Sequence, residues 1–410
     1  MKDLRINAER FRHDFDALAE IGATGDGGVS RPTFSEAHLT ARAWFRQRII
    51  EDGFEFCEDG VGNHSAVLHA ANPEAKTLVL GSHLDSVPNG GRFDGALGVL
   101  SAYEVLRTVR DAGLMLPVHL EAIDFTDEEG TLVGLLGSRA FTNSLPKTDL
   151  VNPRGGVAAL QQGMVRAGLT SDGMLAARRA PDTLLGFLEV HIEQGSRLID
   201  AQADIGVVTS IVGIRSYELT FVGRADHAGT TPMHERRDAG LGAATMMSAA
   251  RDLVMTDFPD CVVNTGQISF APGAYNIVPA QAVLGVEFRA PTDEKLTTLQ
   301  HALLACAKDA AAQHDLELHA KLQGCITASP CAPTVQDAFH AASRLLGLAS
   351  MALASGAGHD TMALAQVCPA GMIFIPSTNG SHNPDEFATW DACVNGANTL
   401  LHAALILANQ

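Results

Sequence analysis

The chain has 410 residues, 46% of them hydrophobic and 19% charged, a globular composition long enough for two domains or one large domain with an insertion. Its 29 Lys and Arg against 47 Asp and Glu leave a net charge of −18, which argues against a protein that tracks nucleic-acid phosphates or lies on an anionic membrane. No apolar run approaches the ~18 residues that span a bilayer, and the seven cysteines are scattered without a CxxC pair, which fits reduced thiols in the cytoplasm.

In chain order, the opening stretch MKDLRINAERFRHDFDALAEIG reads as a charged helix rather than an apolar leader, and Ala23–Gly28 as loop. Lys76–Ser82 is a short apolar run bounded by turn residues, the mark of a buried strand. Ala96–Ala112 carries Val99, Leu100, Tyr103, Leu106 and Val109 at helical spacing, with Gly113 placed to cap the end. Val118–Phe125 and Leu184–Ile192 are two more apolar strands. Strand and helix in alternation predict a largely parallel sheet covered on both faces. The pattern then changes. Ile214–Val222 alternates polar and apolar, and is followed by helix Asp238–Leu253, strands Cys261–Phe270 and Gln281–Arg289, helix Thr292–His314 and strand Asp315–Gln323. These segments describe a compact α+β unit with one open sheet face. After Pro330 the buried pattern returns in helix Val335–Leu346, strand Gly371–Ile375 and helix Thr389–Ala408. The predicted architecture is an α/β domain over residues 1–211 and 328–410, interrupted by an inserted α+β domain at 212–327.

Four polar clusters end or follow the apolar strands: GSHLDS (Gly81–Ser86), FTDEEG (Phe125–Gly130), EVHIEQG (Glu189–Gly195) and STNGSHNPDE (Ser377–Glu386). The carboxyl ends of parallel strands are where such sheets bind ligands. With the glycine-rich loop Asn89–Gly95, the clusters supply His83, Asp85, Asp94, Asp127, Glu128, Glu129, His191 and His382 to one sheet edge. Taken singly, a strand-end His is more often a satisfied hydrogen-bonding group than a ligand, and a DEE run is usually a solvated turn. Brought together, imidazoles and carboxylates repel or stay unpaired unless a cation joins them. That donor set suits a dinuclear hydrolytic metal site. NGGRFDG has neither the G-x-G-x-x-G pattern nor a following GK[ST], which disfavours a nucleotide.

The motifs HLDSVPNGGRFDGALGVL, FTDEEG, GSRAF, HIEQG, GRADHAGTTPM and SHNPDE resemble, in this order and over nearly the whole chain, the amidase, hydantoinase/carbamoylase branch of the dinuclear-zinc aminoacylase and carboxypeptidase superfamily. The resemblance implies a zinc-peptidase-like α/β catalytic domain whose mixed sheet is flanked by helices, and an inserted lid domain that also makes a homodimer. It implies that His83, Asp94 and His191 bind one divalent metal ion and that Asp94, Glu129 and His382 bind another, with Asp94 bridging. Zn2+ is the first expectation, with Mn2+ or Co2+ accepted by the same mixed donor set. Glu128 matches the general base, and Asp85 the carboxylate that would fix the His83 tautomer. Gln194, His227, Asn276 and Arg289 match substrate-binding positions, with Arg289 suited to grip a carboxylate bidentately and His227 and Asn276 to stabilise an oxyanion. GAGHD (Gly356–Asp360) also resembles a family motif, but reads equally as a structural turn and is given no role. One departure is Leu132-Val133, where relatives often carry Arg-Phe, so the pocket wall beside the site differs.

The expected activity is hydrolysis of a linear amide or ureido C–N bond in a small carboxylate-bearing molecule, first of all an N-carbamoyl-L-amino acid. Allantoate amidohydrolase and β-ureidopropionase are the near alternatives, N-acyl amino acid hydrolysis a remoter one. A catalytically idle binding module on the same scaffold is disfavoured by the presence of both Glu128 and the full ligand set. No nucleic-acid or membrane partner is expected.

Overall fold

The computed structural model describes residues 3–410 and divides them into two compact units. The first takes the chain as far as Thr209, then Cys331–Leu353 and Gly358–Gln410; the second takes Ser210–Pro330 and Ala354–Ala357.

The first unit is built on a large mixed sheet whose centre is parallel. Strands His119–Phe125, Thr77–His83, Leu184–Ile192 and Ala370–Ile375 lie side by side in that order, all pointing the same way. Antiparallel strands close the rims. His64–Leu68 and then Glu55–Glu58 add to one side, and Ile205–Ile211 runs against Ala370–Ile375 on the other. Both faces of the central strands are covered, as their continuous apolar character requires. Leu78 and Leu80, with Leu120, Ala122, Leu188 and Val190, face a core shared with helices Ala8–Ala19, Glu36–Glu51, Ala96–Asp111, Pro333–Leu346 and Trp390–Ala408. Val79, Ile123, Phe125 and Phe187 face the other way, against Phe141 and Leu364.

The helix Ala96–Asp111 is buried from Ala96 to Val109 and starts directly after the Asp94 loop. Gly95 has φ +65°, and a Cβ there would strike the His83 ring, so only glycine allows this tight loop-to-helix entry. Gly113 follows the helix at φ +64°, the left-handed stop read from the sequence.

The second unit is a four-stranded antiparallel sheet in the order Glu317–Ile326, Gly213–Val222, Gln281–Ala290, Val262–Ala271. Helices Ala239–Asp257 and Asp293–Gln313 cover one face, packing Ala243, Met246, Leu299 and Leu303 on Leu219, Phe221, Leu284 and Val286. Asp238 and Thr292 cap them, accepting the amides of Gly240 (2.9 Å) and Lys295 (3.2 Å). The opposite face is left open. Gln281–Ala290 alternates buried and half-buried residues, and Val262–Ala271 is exposed along most of its length. No described helix in either unit is long and apolar enough to cross a membrane.

Candidate metal centre

The centre sits at the carboxyl ends of the four parallel strands of the first unit. His83 ends Thr77–His83, His191 lies one residue from the end of Leu184–Ile192, Glu128 and Glu129 follow His119–Phe125, and His382 follows Ala370–Ile375. Parallel strands bring these ends to one edge, which is why residues as far apart in sequence as His83 and His382 can meet.

His83 and His191 are buried, and each gives its Nδ1–H to a main-chain carbonyl, that of Asp85 at 2.9 Å and that of Ile192 at 3.0 Å. A carbonyl only accepts, so both rings keep the Nε2 lone pair for the centre. Nε2 of His191 lies 3.0 Å from Asp94 Oδ1, and Nε2 of His83 lies 3.5 Å from the same oxygen. The other oxygen of Asp94, Oδ2, lies 3.7 Å from Nε2 of His382, which is itself 3.3 Å from Glu129 Oε2. Asp94 thus turns one oxygen to each of two triads, His83–Asp94–His191 and Asp94–Glu129–His382, whose ligand atoms lie within 4.8 Å of one another.

The residues present fit divalent metal ions. Nε2 of His83 and Oε1 of Glu129 are buried without any hydrogen-bond partner, a costly arrangement that a cation would resolve. Two imidazoles and a carboxylate in one triad, and one imidazole and two carboxylates in the other, are the mixed N/O donors that zinc-type ions take. In the metal-free chain, burial works against charge on Asp94, but His191 and His83 outweigh it and hold its carboxyl well below the usual range. Burial likewise opposes charge on His83, yet Glu128, Asp94 and Asp85 raise its pKa well above that of a free imidazole. The hydrogen bond to Glu129, only partly offset by burial, raises His382 to about 9.

Glu128 belongs to neither triad. Its Oε2 is 3.5 Å from Nε2 of His83, and burial, reinforced by Asp360, Glu129 and Asp94 against the pull of His83, raises its carboxyl well above the usual range. Burial and neighbouring acids thus favour proton uptake at Glu128, the direction a general base needs.

The expectation for Asp85 needs correcting. Its carboxylate stands 3.8 Å from His83 Nδ1, and the ring proton goes to its carbonyl instead. The carboxylate accepts the amides of Glu128 (3.2 Å) and Glu129 (3.3 Å) and faces the Thr33 hydroxyl (3.1 Å). The side chain therefore shapes the Glu128–Glu129 turn, while the backbone orients the imidazole. The reason is local: the chain turns at Leu84, whose amide is held by Asp124 at 2.8 Å, and this aims the Asp85 carbonyl at the ring.

Gln194 also sits differently from a free substrate-binding side chain. Its Nε2 donates to Asp94 Oδ2 (2.8 Å) and approaches the Ser381 hydroxyl (3.1 Å). In the second unit, His227 and Asn276 come together and are exposed: Asp226–His227 pairs with Ile277–Val278, and the Ala228 amide donates to the Asn276 carbonyl at 3.0 Å. Arg289 is elsewhere in that unit. It lies eight residues along from Gln281, the end of the strand next to that pair, a separation of ~26 Å at the usual strand rise. Its guanidinium is one-third exposed and is held by Glu287 Oε1 (2.8 and 3.0 Å) and the Gly356 carbonyl (2.7 Å).

Several residues near the centre were given no role from sequence. Asp127, buried at φ +58°, accepts the amides of Leu132 (3.0 Å), Val133 (2.6 Å) and Gly134 (2.9 Å) as well as the Thr33 hydroxyl (2.8 Å). It fixes the loop after Glu128 and Glu129 through main-chain donors, whatever the side chains at Leu132 and Val133. In GAGHD the glycines Gly356 and Gly358 are exposed, while His359 and Asp360 are buried. His359 is buried with its ring 4.6 Å from that of His191, and Asp360 is fully buried, with Ser138 beside it but no hydrogen bond of normal geometry to either carboxylate oxygen. Burial raises the Asp360 carboxyl well above the usual range, and burial lowers the His359 imidazole well below its own. The adjacency of a His and an Asp in a Gly-rich stretch was the one sequence signal for them.

A profile for peptidase family M20/M25/M40 matches residues 79–406. An N-carbamoyl-L-amino acid amidohydrolase of Geobacillus stearothermophilus is 35% identical over 406 residues, 98% of this chain and 99% of that protein. An allantoate amidohydrolase of Bacillus subtilis (strain 168) is 31% identical over 91% of each chain. A crystal structure of an amidase of the hydantoinase/carbamoylase family from Burkholderia multivorans superposes with a TM-score of 0.91 at 32% identity, covering 99% of both chains. Together with the two triads and Glu128, these matches make the chain a member of peptidase family M20/M25/M40, in its hydantoinase/carbamoylase amidase branch, and an amidohydrolase acting on a small-molecule substrate.

Proposed function

We propose that the enzyme hydrolyses the ureido C–N bond of an N-carbamoyl-L-amino acid. Water adds to the carbamoyl carbon, the bond to the amino acid nitrogen breaks, and the resulting carbamate decomposes to carbon dioxide and ammonia. The observation that carries this reading is Glu128, a buried carboxylate that stands outside both triads yet within 3.5 Å of one of their imidazoles. The similarity to the N-carbamoyl amino acid amidohydrolase over nearly the full length of both chains supports the substrate.

In this reading His83, Asp94 and His191 hold one divalent ion and Asp94, Glu129 and His382 a second, Zn2+ before Mn2+ or Co2+. When bound, such ions polarise the scissile carbonyl and acidify the attacking water. Glu128 takes the proton of that water at its carboxylate and delivers it to the leaving nitrogen. Asp85 holds the turn that aims Glu128, and Gln194 steadies Asp94. His227 and Asn276 donate hydrogen bonds to the oxyanion, and Arg289 grips the substrate carboxylate as a fork. A strand length of ~26 Å separates that pair from Arg289 in one inserted unit, so a small substrate cannot touch all three from a single copy. We read this as support for a homodimer in which two copies contribute to one substrate site. The seven cysteines are all free, which supports a cytoplasmic setting.

A second reading, allantoate as the substrate, is favoured by the likeness to the allantoate amidohydrolase over 91% of each chain. The test is ammonia release from a panel of N-carbamoyl-L-amino acids, allantoate, ureidopropionate and N-acetyl amino acids, run with Zn2+, Mn2+ and Co2+. Turnover of the carbamoyl amino acids above the rest is the expected result. Preferential turnover of allantoate would move the assignment to the second reading, and no turnover of any ureido compound would overturn both.

A further inference from the structure

Two carboxylates outside both triads hold the segments that bear the ligands, and they divide the work between them. Glu189 is fully buried on strand Leu184–Ile192, two residues before His191. Its Oε1 accepts the hydroxyl of Ser82 at 2.8 Å, and Ser82 directly precedes His83. Its Oε2 accepts the hydroxyl and the amide of Thr361, at 2.6 and 3.2 Å. The Ser82 side chain has no room to leave, since even a Cβ at Gly98 would strike it. Glu189 therefore ties the strand end of His191 to that of His83, the two imidazoles of the first triad.

Glu386 does the equivalent job on the other side. It is 4% exposed, and its Oε1 accepts the amides of Phe93 and Asp94, both at 3.2 Å. Its Oε2 meets the hydroxyl of Ser381, which also contacts Asp94 Oδ2 at 2.8 Å and directly precedes His382. A Cβ at Gly91 would collide with this carboxylate, so the glycine-rich loop is shaped to receive it. Glu386 thus joins the loop of Asp94, which both triads share, to the His382 loop, which only the second triad uses. His382 needs such help most, being 53% exposed and at φ +60°.

We propose that Glu189 and Glu386 are separate positioning residues, Glu189 for the His83–Asp94–His191 site and Glu386 for the Asp94–Glu129–His382 site. They act by fixing the ligand-bearing segments before any ion arrives, as partners beyond the ligands do in metal sites generally. Hydrogen bonding, not charge, is the means. In each carboxylate one oxygen faces main-chain N–H (two amides at Glu386; at Glu189 the Thr361 amide, together with its hydroxyl) and must stay an acceptor, while the other faces a serine hydroxyl that can rotate to accept from an NH2 group. Glutamine therefore satisfies both positions and alanine neither.

The inference rests on the two-metal reading, and the test separates the two. His382→Ala and His191→Ala each leave one site, and the affinity of metal-stripped protein for Zn2+ is measured by chelator competition, with Tm recorded alongside. In the His382→Ala background, Glu189→Ala is expected to weaken the remaining site by ~10–100-fold, the usual range for such partners, and Glu386→Ala to weaken it much less. In the His191→Ala background the order reverses. Glu189→Gln and Glu386→Gln restore affinity to within a few-fold in both. Ser82→Ala and Ser381→Ala repeat the pattern in milder form and serve if an alanine variant does not fold. Equal losses at both sites from either residue, or Tm losses without change in affinity, would overturn the division of labour. Failure of His382→Ala and His191→Ala to remove one ion each would instead count against the two-metal reading.

Discussion

The two units carry their functional side chains in opposite ways. In the first, every residue assigned to the centre touches another within 4 Å, all but His382 are at least nearly buried or enclosed at its edge, and hydrogen bonds from Asp127, Glu189 and Glu386 leave the ligands little freedom. In the second, His227 and Asn276 are exposed on a short two-stranded ribbon, and Arg289 lies on the separate four-stranded sheet, beside Glu287. The difference fits the roles proposed for each. Metal affinity and proton transfer need geometry fixed in advance, which burial and a dense polar network supply. Recognition of a substrate that comes and goes needs groups that are accessible until it binds.

The sharpest way to break this comparison is at the base. Glu128→Gln keeps shape and neighbours but removes the proton acceptor, so kcat should fall by ~10²–10⁴ while metal content stays at the wild-type level. Glu129→Gln should lower metal affinity instead, because its buried Oε1 has no other partner. Metal analysis beside kinetics reads both, and equal metal loss in the two variants would show that their roles are wrongly divided.

The next effect probes the second unit. His227→Ala removes a proposed oxyanion donor and should cost ~10²–10³ in kcat. If the donor reaches the centre of another copy, mixing His227→Ala with Glu128→Gln chains under exchange conditions restores about a quarter of wild-type activity, because half the random dimers hold one intact site of two. No recovery on mixing would confine each substrate site to one chain. Arg289→Lys comes below it. Loss of the fork should raise KM by ~10–100-fold, in keeping with ~1.5–3 kcal/mol for hydrogen bonds to a charged group. The neighbouring Glu287 and the one-third exposure of Arg289 keep the effect from being larger. Unchanged KM on every carboxylate substrate would remove Arg289 from recognition.

The same contrast governs how much could be read from sequence. Strand Leu184–Ile192, helix Ala96–Asp111 with its Gly113 stop, and the alternating strand Gln281–Ala290 are all plain in the residue pattern, because each buries apolar side chains at a regular period. Helix Glu36–Glu51 is not. Its buried side includes His38 and Arg42, the latter held by Asp124 at 2.9 Å, and these polar residues erase the apolar stripe. The short rim strands Glu55–Glu58 and His64–Leu68 are too brief for a period to emerge. At the centre, ligand-type residues after strands stand out, and all five of them meet in the fold. The supports do not stand out. Asp127, Glu189 and Glu386 act through backbone amides and hydroxyls that leave no spacing rule, and a lone acid inside an apolar strand, as at Glu189, looks like an exception to burial rather than a brace. Asp85 shows the reverse error: its type suggested a carboxylate acting on His83, but the turn at Leu84 delivers its carbonyl there.

The smallest expected effect tests how strictly the first unit excludes protons from its supporting layer. His38 is fully buried, and its Nδ1 accepts the amide of Phe34 at 2.9 Å, a residue at φ +57°. Burial first, then the cations of Arg42 and Arg31, lower its pKa well below that of a free imidazole. Because the folded pKa is depressed, the stabilising contribution is fully present above the unfolded pKa of ~6.5 and is lost as pH falls below it. In that window the unfolded chain takes up a proton that the folded unit refuses, at ~1.4 kcal/mol per pH unit. His38→Gln keeps an acceptor for the Phe34 amide but cannot titrate. Chemical denaturation of wild type and variant at pH 7.5 and 5.5 should therefore show the wild type losing about 1.4 kcal/mol more than the variant. An identical pH dependence in the two would mean that the folded unit admits a charged His38, and that the polar layer beneath the centre is looser than its hydrogen bonds suggest.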